Sequence, residues 1–513
     1  MNIGLLYSLE EHEQMATAAN PKEFLPDPLS IHFGLSFIAS ALKKAGHNVR
    51  FLLVAPHTDL SEELTRFIGE FNPRMIGLTA VATQYPIISQ IAEIVKKIDG
   101  SIYTVLGGVH AILQPALIEE DIFLDALCAG EGEVAVVSLA DAVEKGVQPA
   151  NIPNLWIRNS ATNTIEKNGN DPFDPDLDAF PFIERKMWDP WIASKPITRQ
   201  HVLIARGCPF KCTYCANHIL AETQEGKQLR FRSPENVIAE LRQIRLDYPD
   251  VESIYFEVET FGGNKSFATH FCKKLEEYNA SLQKPIRYGI NVAVTRNISK
   301  NSPEILDAMQ RANFDFVNIG LESGSEKYRR DVLKRPEYTN EDLIYFSKMA
   351  RERSINVSLY VLIGLPGETV EDFNQTVDCA KQCVPFACSL SKFFPYPGTR
   401  LYDIAKEQNV INAHVDTRLE RRISVLNMKQ FPAWRINYEY LMFHFRVFQG
   451  QIPFFIRATG VLRKLMGMYP LLNSLYMYFA HRTQIGLFLH RKSTRTQFTD
   501  AGAPIVPALE FRP

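Results

Sequence analysis

"HVLIARGCPFKCTYCANH", residues 201–218, decides how the second half of this chain is read. Its apolar opening, HVLIA, reads as a buried strand. The strand leads into Cys208, Cys212 and Cys215, three thiols on one loop with no fourth cysteine nearby. That four-then-three spacing admits several chemistries. A structural zinc site wants four closed ligands, and Cys208, Cys212, Cys215 and His218 supply that number. A disulfide would leave one thiol over. A low-potential ferredoxin-type cluster takes four cysteines. A cluster held by three keeps one iron open toward a further ligand, and a single loop can grip three corners of a cube.

Downstream of this loop, strand-like apolar runs recur at 253–258, 286–294, 316–322, 356–364 and 388–396. Helical stretches separate them, such as 234–246 after Ser233-Pro234 and 369–382 after Gly367-Glu368. Six strand–helix units predict a partial (β/α)6, TIM-like barrel over 201–404, with its chemistry at the carboxyl ends of the strands. The three cysteines follow the first of these strands, where such an architecture puts a site.

Upstream, residues 1–148 alternate strand-like runs (2–7, 49–54, 75–81, 102–108, 126–130) with amphipathic segments such as 33–45 and 86–98. This predicts an α/β, doubly wound parallel sheet of Rossmann or flavodoxin-like type, with ligands at the carboxyl ends of its strands. Those ends carry Pro56, Thr79, Thr83, the Gly107-Gly108-Val109-His110 turn and Gly130-Glu131-Gly132-Glu133. Small residues and hydroxyls suit a nucleotide-like ligand there, although an undecorated flavodoxin-like scaffold has the same look. Residues 149–200, rich in Pro, Asp and Asn, read as a linker draped over a neighbouring domain. Residues 405–513 read as a helical, aromatic-rich region. Within it, 435–499 hold nine Lys/Arg against Glu439, and the uncharged run 465–480 has 16 residues. That falls short of the roughly 20 that a spanning helix needs. A helical cap on the barrel is favoured over a membrane-surface face.

With 513 residues, two or three domains are expected. The balance of 56 basic and 58 acidic residues implies no general affinity for nucleic acid. Eight cysteines make no disulfide framework, and "MNIGLLYSLEEHEQ" has no basic n-region, so reduced thiols and a cytoplasmic location are expected.

Several motifs together carry a family resemblance. "CPFKCTYC" (208–215), with Tyr214 before the last cysteine, resembles the signature of radical S-adenosylmethionine (SAM) enzymes. "RFRSPENVIAEL" (230–241) is similar to the segment before their second strand, and "NIGLESGSEKYRRDVLKRP" (318–336) to their fourth-strand motif. "VLIGLPGET" (361–369) and "PYPGTRLY" (395–402) resemble the fifth and sixth. "GLSFIASALKKAGHNV" (34–49), "LGGVHA" (106–111) and "GEGE" (130–133) resemble the cobalamin-binding domain often fused ahead of such barrels. These matches leave little room for zinc.

The resemblance implies three cofactors: a 4Fe-4S cluster, SAM and cobalamin. Cys208, Cys212 and Cys215 would hold the cluster, whose open iron chelates SAM. Electron transfer from the cluster then cleaves SAM to a 5′-deoxyadenosyl radical that takes hydrogen from an unactivated carbon. Glu257 or Glu259, in "FEVETF" where related sequences read Asp-Asp, would accept from the SAM amino group. Glu322 would hold the ribose hydroxyls, with helix capping at Ser323 as its bland alternative. Tyr214 and Leu362–Gly364 would line the adenine. Thr79, Gly107, Gly108 and Gly130 would face cobalamin. Asp-x-His-x-x-Gly is absent, so no histidine from that motif would reach the cobalt. Cys379, Cys383 and Cys388 read as buried apolar thiols rather than a second cluster. The expected partners are a small-molecule substrate and an external electron donor of flavodoxin or ferredoxin type. Methylation of an unactivated carbon leads the functional reading. Radical cyclisation or oxidative rearrangement is the alternative, and a non-catalytic cluster- or cobalamin-binding protein a weaker one.

Overall fold

The computed structural model describes residues 1–9, 31–55, 59–192, 196–411, 420 and 423–467. Two compact units emerge: Met1–Pro209 with Cys215–Val251 and Tyr396–Thr399, and Phe210–Tyr214 with Glu252–Pro395 and Arg400 onward.

In the first unit, β1 (Asn2–Ser8), β2 (Asn48–Val54), β3 (Met75–Thr79), β4 (Tyr103–Gly107) and β5 (Ala126–Cys128) are parallel, in the order β2-β1-β3-β4-β5. Every residue of β3, MIGLT, is buried, as a strand covered on both faces requires. The helices are α1 (Phe33–Lys44), α2 (Leu60–Phe71), α3 (Tyr85–Ile98), α4 (Val109–Leu113), α5 (Leu117–Glu120) and α6 (Glu133–Lys145). Local chemistry starts them where the sequence indicates. The His32 ring accepts from the Leu35 N–H at 3.0 Å, Asp59 caps α2, and Pro86 sits in the first turn of α3, where its missing N–H costs nothing. The strand order reverses between β1 and β3, so the carboxyl ends of these strands flank the crevice where doubly wound sheets bind ligands.

Residues 149–200 depart from the linker expectation. They contribute β6 (Leu155–Arg158) and β7 (Ile165–Lys167), which extend the sheet antiparallel beyond β5. Trp188 is buried, with its indole N–H on Ser36 Oγ at 2.8 Å and its ring 4.4 Å from that of Phe51. Strands of four and three residues are too short to show a period in the sequence, which is why this stretch reads as irregular. The unit is completed by β8 (Arg199–Leu203), β9 (Ala205–Arg206), α7 (Asn217–Leu220), β10 (Arg230–Phe231) and α8 (Pro234–Asp247). The strand expected over 201–206 is therefore divided: Ala205 and Arg206 leave it to pair antiparallel with Phe231 and Arg230.

The second unit holds β11 (Ser253–Phe261), β12 (Arg287–Val292), β13 (Phe314–Glu322), β14 (Asn356–Ile363) and β15 (Ala387–Lys392), all parallel and in sequential order. Following the strands come α9 (Lys265–Ala280), α10 (Arg296–Arg311), α11 (Glu326–Asp331) with α12 (Asn340–Glu352), and α13 (Val370–Gln382). Then come α14 (Arg400–Glu407), α15 (Ala433–Val447) and α16 (Phe454–Gly467). Alternation along β11 separates two faces. Phe256 packs 5.1 Å from Phe271 of α9 and 5.2 Å from Tyr288, on the helix-covered side. Tyr255, Glu257 and Glu259 take the opposite face, where the Tyr255 ring stacks 5.6 Å from Phe316. Gly289 has no side chain because the Phe316 ring fills that space, 2.1 Å from where a Cβ would stand. Cys379, Cys383 and Cys388 are buried thiols outside any disulfide, in keeping with the apolar reading. Among the described residues no helix is long and apolar enough to cross a membrane. Most of the 465–480 run lies outside them.

Candidate cofactor sites

The cysteine loop is built from its ends inward. Gly207 adopts φ +86°, and a Cβ there would stand 2.5 Å from the Gln228 carbonyl oxygen, so only glycine fits. The Gln228 side chain then spans the loop: its Oε1 accepts from the Cys208 N–H at 3.4 Å, and its Nε2 donates to the Asn217 carbonyl at 3.0 Å. The Asn217 N–H points at Cys215 Sγ, 3.5 Å away. In the second unit, Thr213 donates its N–H to the Leu333 carbonyl at 3.0 Å and its hydroxyl to the Val332 carbonyl at 2.9 Å. Burial pushes the Cys212 thiol above its ordinary pKa, opposed by Arg335, whose Nη1 lies 4.0 Å from Sγ. Thiols outside any disulfide, on one loop whose ends are clamped and with N–H donors at two sulfurs, fit an iron–sulfur cluster.

Beside Cys212 the fourth-strand motif forms a connected set. Glu322 sits at the end of β13 with φ +59°, a left-handed conformation unusual for a residue with a side chain, at a bulge in the pairing with β14. Its carboxylate accepts from the Tyr214 hydroxyl at 3.2 Å. Arg335 donates to the same hydroxyl at 2.9 Å and to the Gly320 carbonyl. A Cβ on Gly320 would stand 2.5 Å from the Glu322 carboxylate, so the glycine makes room for it. Burial raises the Glu322 pKa, against the pull of Arg335 and Tyr214. Perturbed carboxyls held in strained backbone at a strand's carboxyl end are a pattern that clusters at ligand sites. The capping alternative fails on its own terms, because the following helix, α11, is capped by Ser325.

Neighbouring strands extend this set. Glu257 is half-buried and Glu259 exposed on β11. Burial, followed by the charges of Glu257 and Glu322, raises the Tyr360 pKa, which brings β11, β13 and β14 together on one face. After β14 the chain turns through Gly364 (φ +82°) and Gly367 (φ +80°), with Leu362 half-buried before them. Glu368, fully buried, fixes this turn by accepting from the Gly364 N–H at 2.7 Å and the Leu365 N–H at 3.1 Å.

In the first unit, Thr79 and Gly107 are register partners at the ends of β3 and β4. Gly108 has φ +90°, and a Cβ would meet Thr79 Oγ1 at 2.6 Å and the Ala80 carbonyl oxygen at 2.9 Å. Gln84 closes the switch point by donating to the Ser8 carbonyl at 2.7 Å and accepting from the Val81 N–H at 3.1 Å. His110 lies 5.0 Å from the Tyr85 ring, and burial lowers its pKa. At Gly130 the side chains of Asn154 and Gln224 come within about 3 Å of where a Cβ would be, so neighbouring protein alone already calls for a glycine here.

Family comparisons agree with both halves of this picture. The radical SAM superfamily model matches residues 202–380, and the B12 binding domain model matches residues 29–140. The chain belongs to the radical SAM enzymes that carry a B12-binding domain. An uncharacterized methyltransferase of Pyrococcus horikoshii is 26% identical over 79% of this chain and 84% of its own. The anaerobic magnesium-protoporphyrin IX monomethyl ester cyclase of Rubrivivax gelatinosus is 24% identical over 72% of this chain and 65% of its own. The fold resembles that of the radical SAM methyltransferase TsrM from Kitasatospora setae, solved with tryptophan and a SAM analogue bound. The match has a TM-score of 0.60 at 18% identity and covers 79% of this chain and 76% of that one. As a radical SAM enzyme with a B12-binding domain, the protein uses a 4Fe-4S cluster, SAM and cobalamin.

Sequence reasoning missed Arg335, Glu368, Gln228 and the acids of GEGE. Arg335 lies within the quoted fourth-strand motif, but its reach back to Tyr214 follows from the turn after α11 and has no local signal. Gln228 stands 20 residues from Cys208, in a stretch without periodicity. In GEGE the glycines drew the reading toward a ligand, whereas the glutamates make the contacts.

Proposed function

We propose that this enzyme is a cobalamin-dependent radical SAM methyltransferase acting on an unactivated carbon of a small molecule. The observation that carries the reading is the Arg335–Tyr214–Glu322 set beside Cys212, in a chain whose Gly107-Gly108 turn leads into α4, which lies against α7 just after Cys215. The named activities of the Pyrococcus and Kitasatospora proteins support it.

When bound, the cluster and SAM supply reductive C–S cleavage and hydrogen abstraction from carbon, and cobalamin supplies a methyl carrier. The chain's own residues bind and orient. Cys208, Cys212 and Cys215 would hold the cluster as thiolates. Glu322 would accept from the ribose hydroxyls, its position fixed by Tyr214 and Arg335. Glu257, half-buried and electrostatically close to Tyr360 and Tyr255, is the better acceptor for the SAM ammonium, with the exposed Glu259 second. The Gly364–Gly367 turn, braced by Glu368, gives adenine a close backbone approach. Thr79, Gly107 and Gly108 shape the cobalamin edge, and no histidine from an Asp-x-His-x-x-Gly motif serves the cobalt. The electron comes from a flavodoxin- or ferredoxin-type donor.

The cyclase named among the relatives keeps ring formation without net methylation as the second reading. Anaerobic incubation with methyl-labelled SAM, a reductant and a cell extract separates them. Label in a small molecule supports methyl transfer, and 5′-deoxyadenosine without transferred label supports cyclisation.

A further inference from the structure

The GEGE segment makes an ion network with the two arginines that flank the cysteine loop, all within the first unit. Arg206, immediately before Gly207, donates Nη1 to Glu131 at 3.2 Å and Nη2 to Glu133 at 2.5 Å. Its register partner across the β9–β10 ribbon, Arg230, donates Nη2 and Nη1 to the two Glu131 oxygens at 2.6 and 3.1 Å, a bidentate pair. The side chains of Arg230 and Glu133 are only 4% and 8% exposed. The Arg206 guanidinium lies 4.8 Å from the Phe37 ring centroid of α1, and Arg230 lies 4.9 Å from that of Phe173. Glu131 is itself pinned: its N–H donates to Gln224 Oε1 at 2.9 Å, and its carbonyl accepts from Asn154 Nδ2 at 2.8 Å. From Arg230 the chain of bonds continues to the cysteines, since its Nε donates to the carbonyl of Gln228, which clasps Cys208 and Asn217.

Burying four charges is a poor way to gain stability, because desolvation offsets most of the attraction. The better-attested use of such networks is to fix register. This network ties the segment after β5, at the carboxyl edge of the corrinoid-type sheet, to both ends of the cysteine loop.

We propose that Glu131, Glu133, Arg206 and Arg230 are positioning residues that lock the cysteine loop to the carboxyl edge of the cobalamin sheet and so hold cluster and corrinoid at one fixed separation. The proposal rests on the cofactor reading above. It assigns to GEGE a role in registering one cofactor site against the other rather than in touching the corrinoid.

The test uses the full chain with Glu133→Gln and with the double variant Glu131→Gln/Glu133→Gln. In the cofactor-free protein, amide hydrogen exchange over 206–217 should rise at least about tenfold in Glu133→Gln, while exchange in β13 stays at the parent rate. In the reconstituted protein, the line shape from the magnetic interaction between cob(II)alamin and the reduced cluster, read by electron paramagnetic resonance, should broaden in Glu133→Gln and broaden further in the double variant. A purely stabilising network would leave that line shape unchanged. Parent-like exchange over 206–217, or exchange rising equally in both units, overturns the proposal, as does a parent-like line shape. Should Glu133→Gln fail to retain cofactors, the cofactor-free exchange pattern still decides. If the parent itself binds no iron, the cofactor reading falls instead.

Discussion

Glu368 offers a quantitative check on how the turn after β14 is held. The carboxyl is fully buried: one oxygen accepts two backbone N–H groups, and the other has no hydrogen-bond partner among the described residues. Burial pushes its pKa from the ordinary 4.5 to about 8, against the pull of the two N–H donors. A carboxyl with a raised native pKa binds more protons folded than unfolded. Its contribution to stability is therefore complete below about pH 4.5 and is lost as pH rises toward 8. Between about pH 5.5 and 7.5 that loss amounts to roughly 3 kcal/mol, at about 1.4 kcal/mol per pH unit. Glu368→Gln keeps an acceptor for Gly364 and Leu365 and removes the titration, at a cost of about 1–3 kcal/mol for an amide NH2 buried without a partner. The variant should thus melt below the parent at about pH 5.5, and the gap should close or reverse by several degrees at about pH 7.5. Anaerobic thermal unfolding of both proteins across this range measures it. A difference between them that is independent of pH would refute the assignment.

Cys208→Ala, Cys212→Ala or Cys215→Ala should each abolish iron binding and SAM cleavage, whereas Cys379→Ala should leave both intact; iron analysis and nucleoside chromatography check this. Gly108→Ala places a methyl group at a positive-φ position against Thr79 and Ala80, so corrinoid affinity should fall at least about tenfold in equilibrium binding while iron content is kept. Glu322→Gln retains the shape but loses the charge proposed to meet the ribose, and SAM affinity should fall roughly tenfold or more by calorimetry, since hydrogen bonds to charged groups contribute about 1.5–3 kcal/mol.

Much of this was legible in the sequence because the decisive signals are local. Apolar runs of the right length and spacing yielded the parallel strands of both units, and capping residues such as Ser233-Pro234 and Thr369 marked the starts of α8 and α13. The cysteine spacing pointed to a cluster-binding loop, and Glu322 stood out as the end of an apolar run that the structure makes the end of β13. What escaped depends on tertiary proximity. Arg206 and Arg230 are register partners only because Ala205 leaves the strand direction, a break that no period in HVLIAR announces. β6 and β7 are strands by virtue of a sheet edge already formed, so their own residues carry little of the signal. A glycine such as Gly130 looks the same in sequence whether it makes room for a ligand or for Asn154.

The central claim is that SAM serves this enzyme twice, once as a methyl donor and once as the source of the hydrogen-abstracting radical. Anaerobic turnover with methyl-labelled SAM, a low-potential flavodoxin and fractionated extract, with both nucleosides quantified, tests it most directly. The account predicts S-adenosylhomocysteine and 5′-deoxyadenosine in about equal amounts, with one label incorporated in a small molecule for each pair. Sustained 5′-deoxyadenosine formation on a converted substrate, with cobalamin bound but neither S-adenosylhomocysteine nor transferred label, would contradict it.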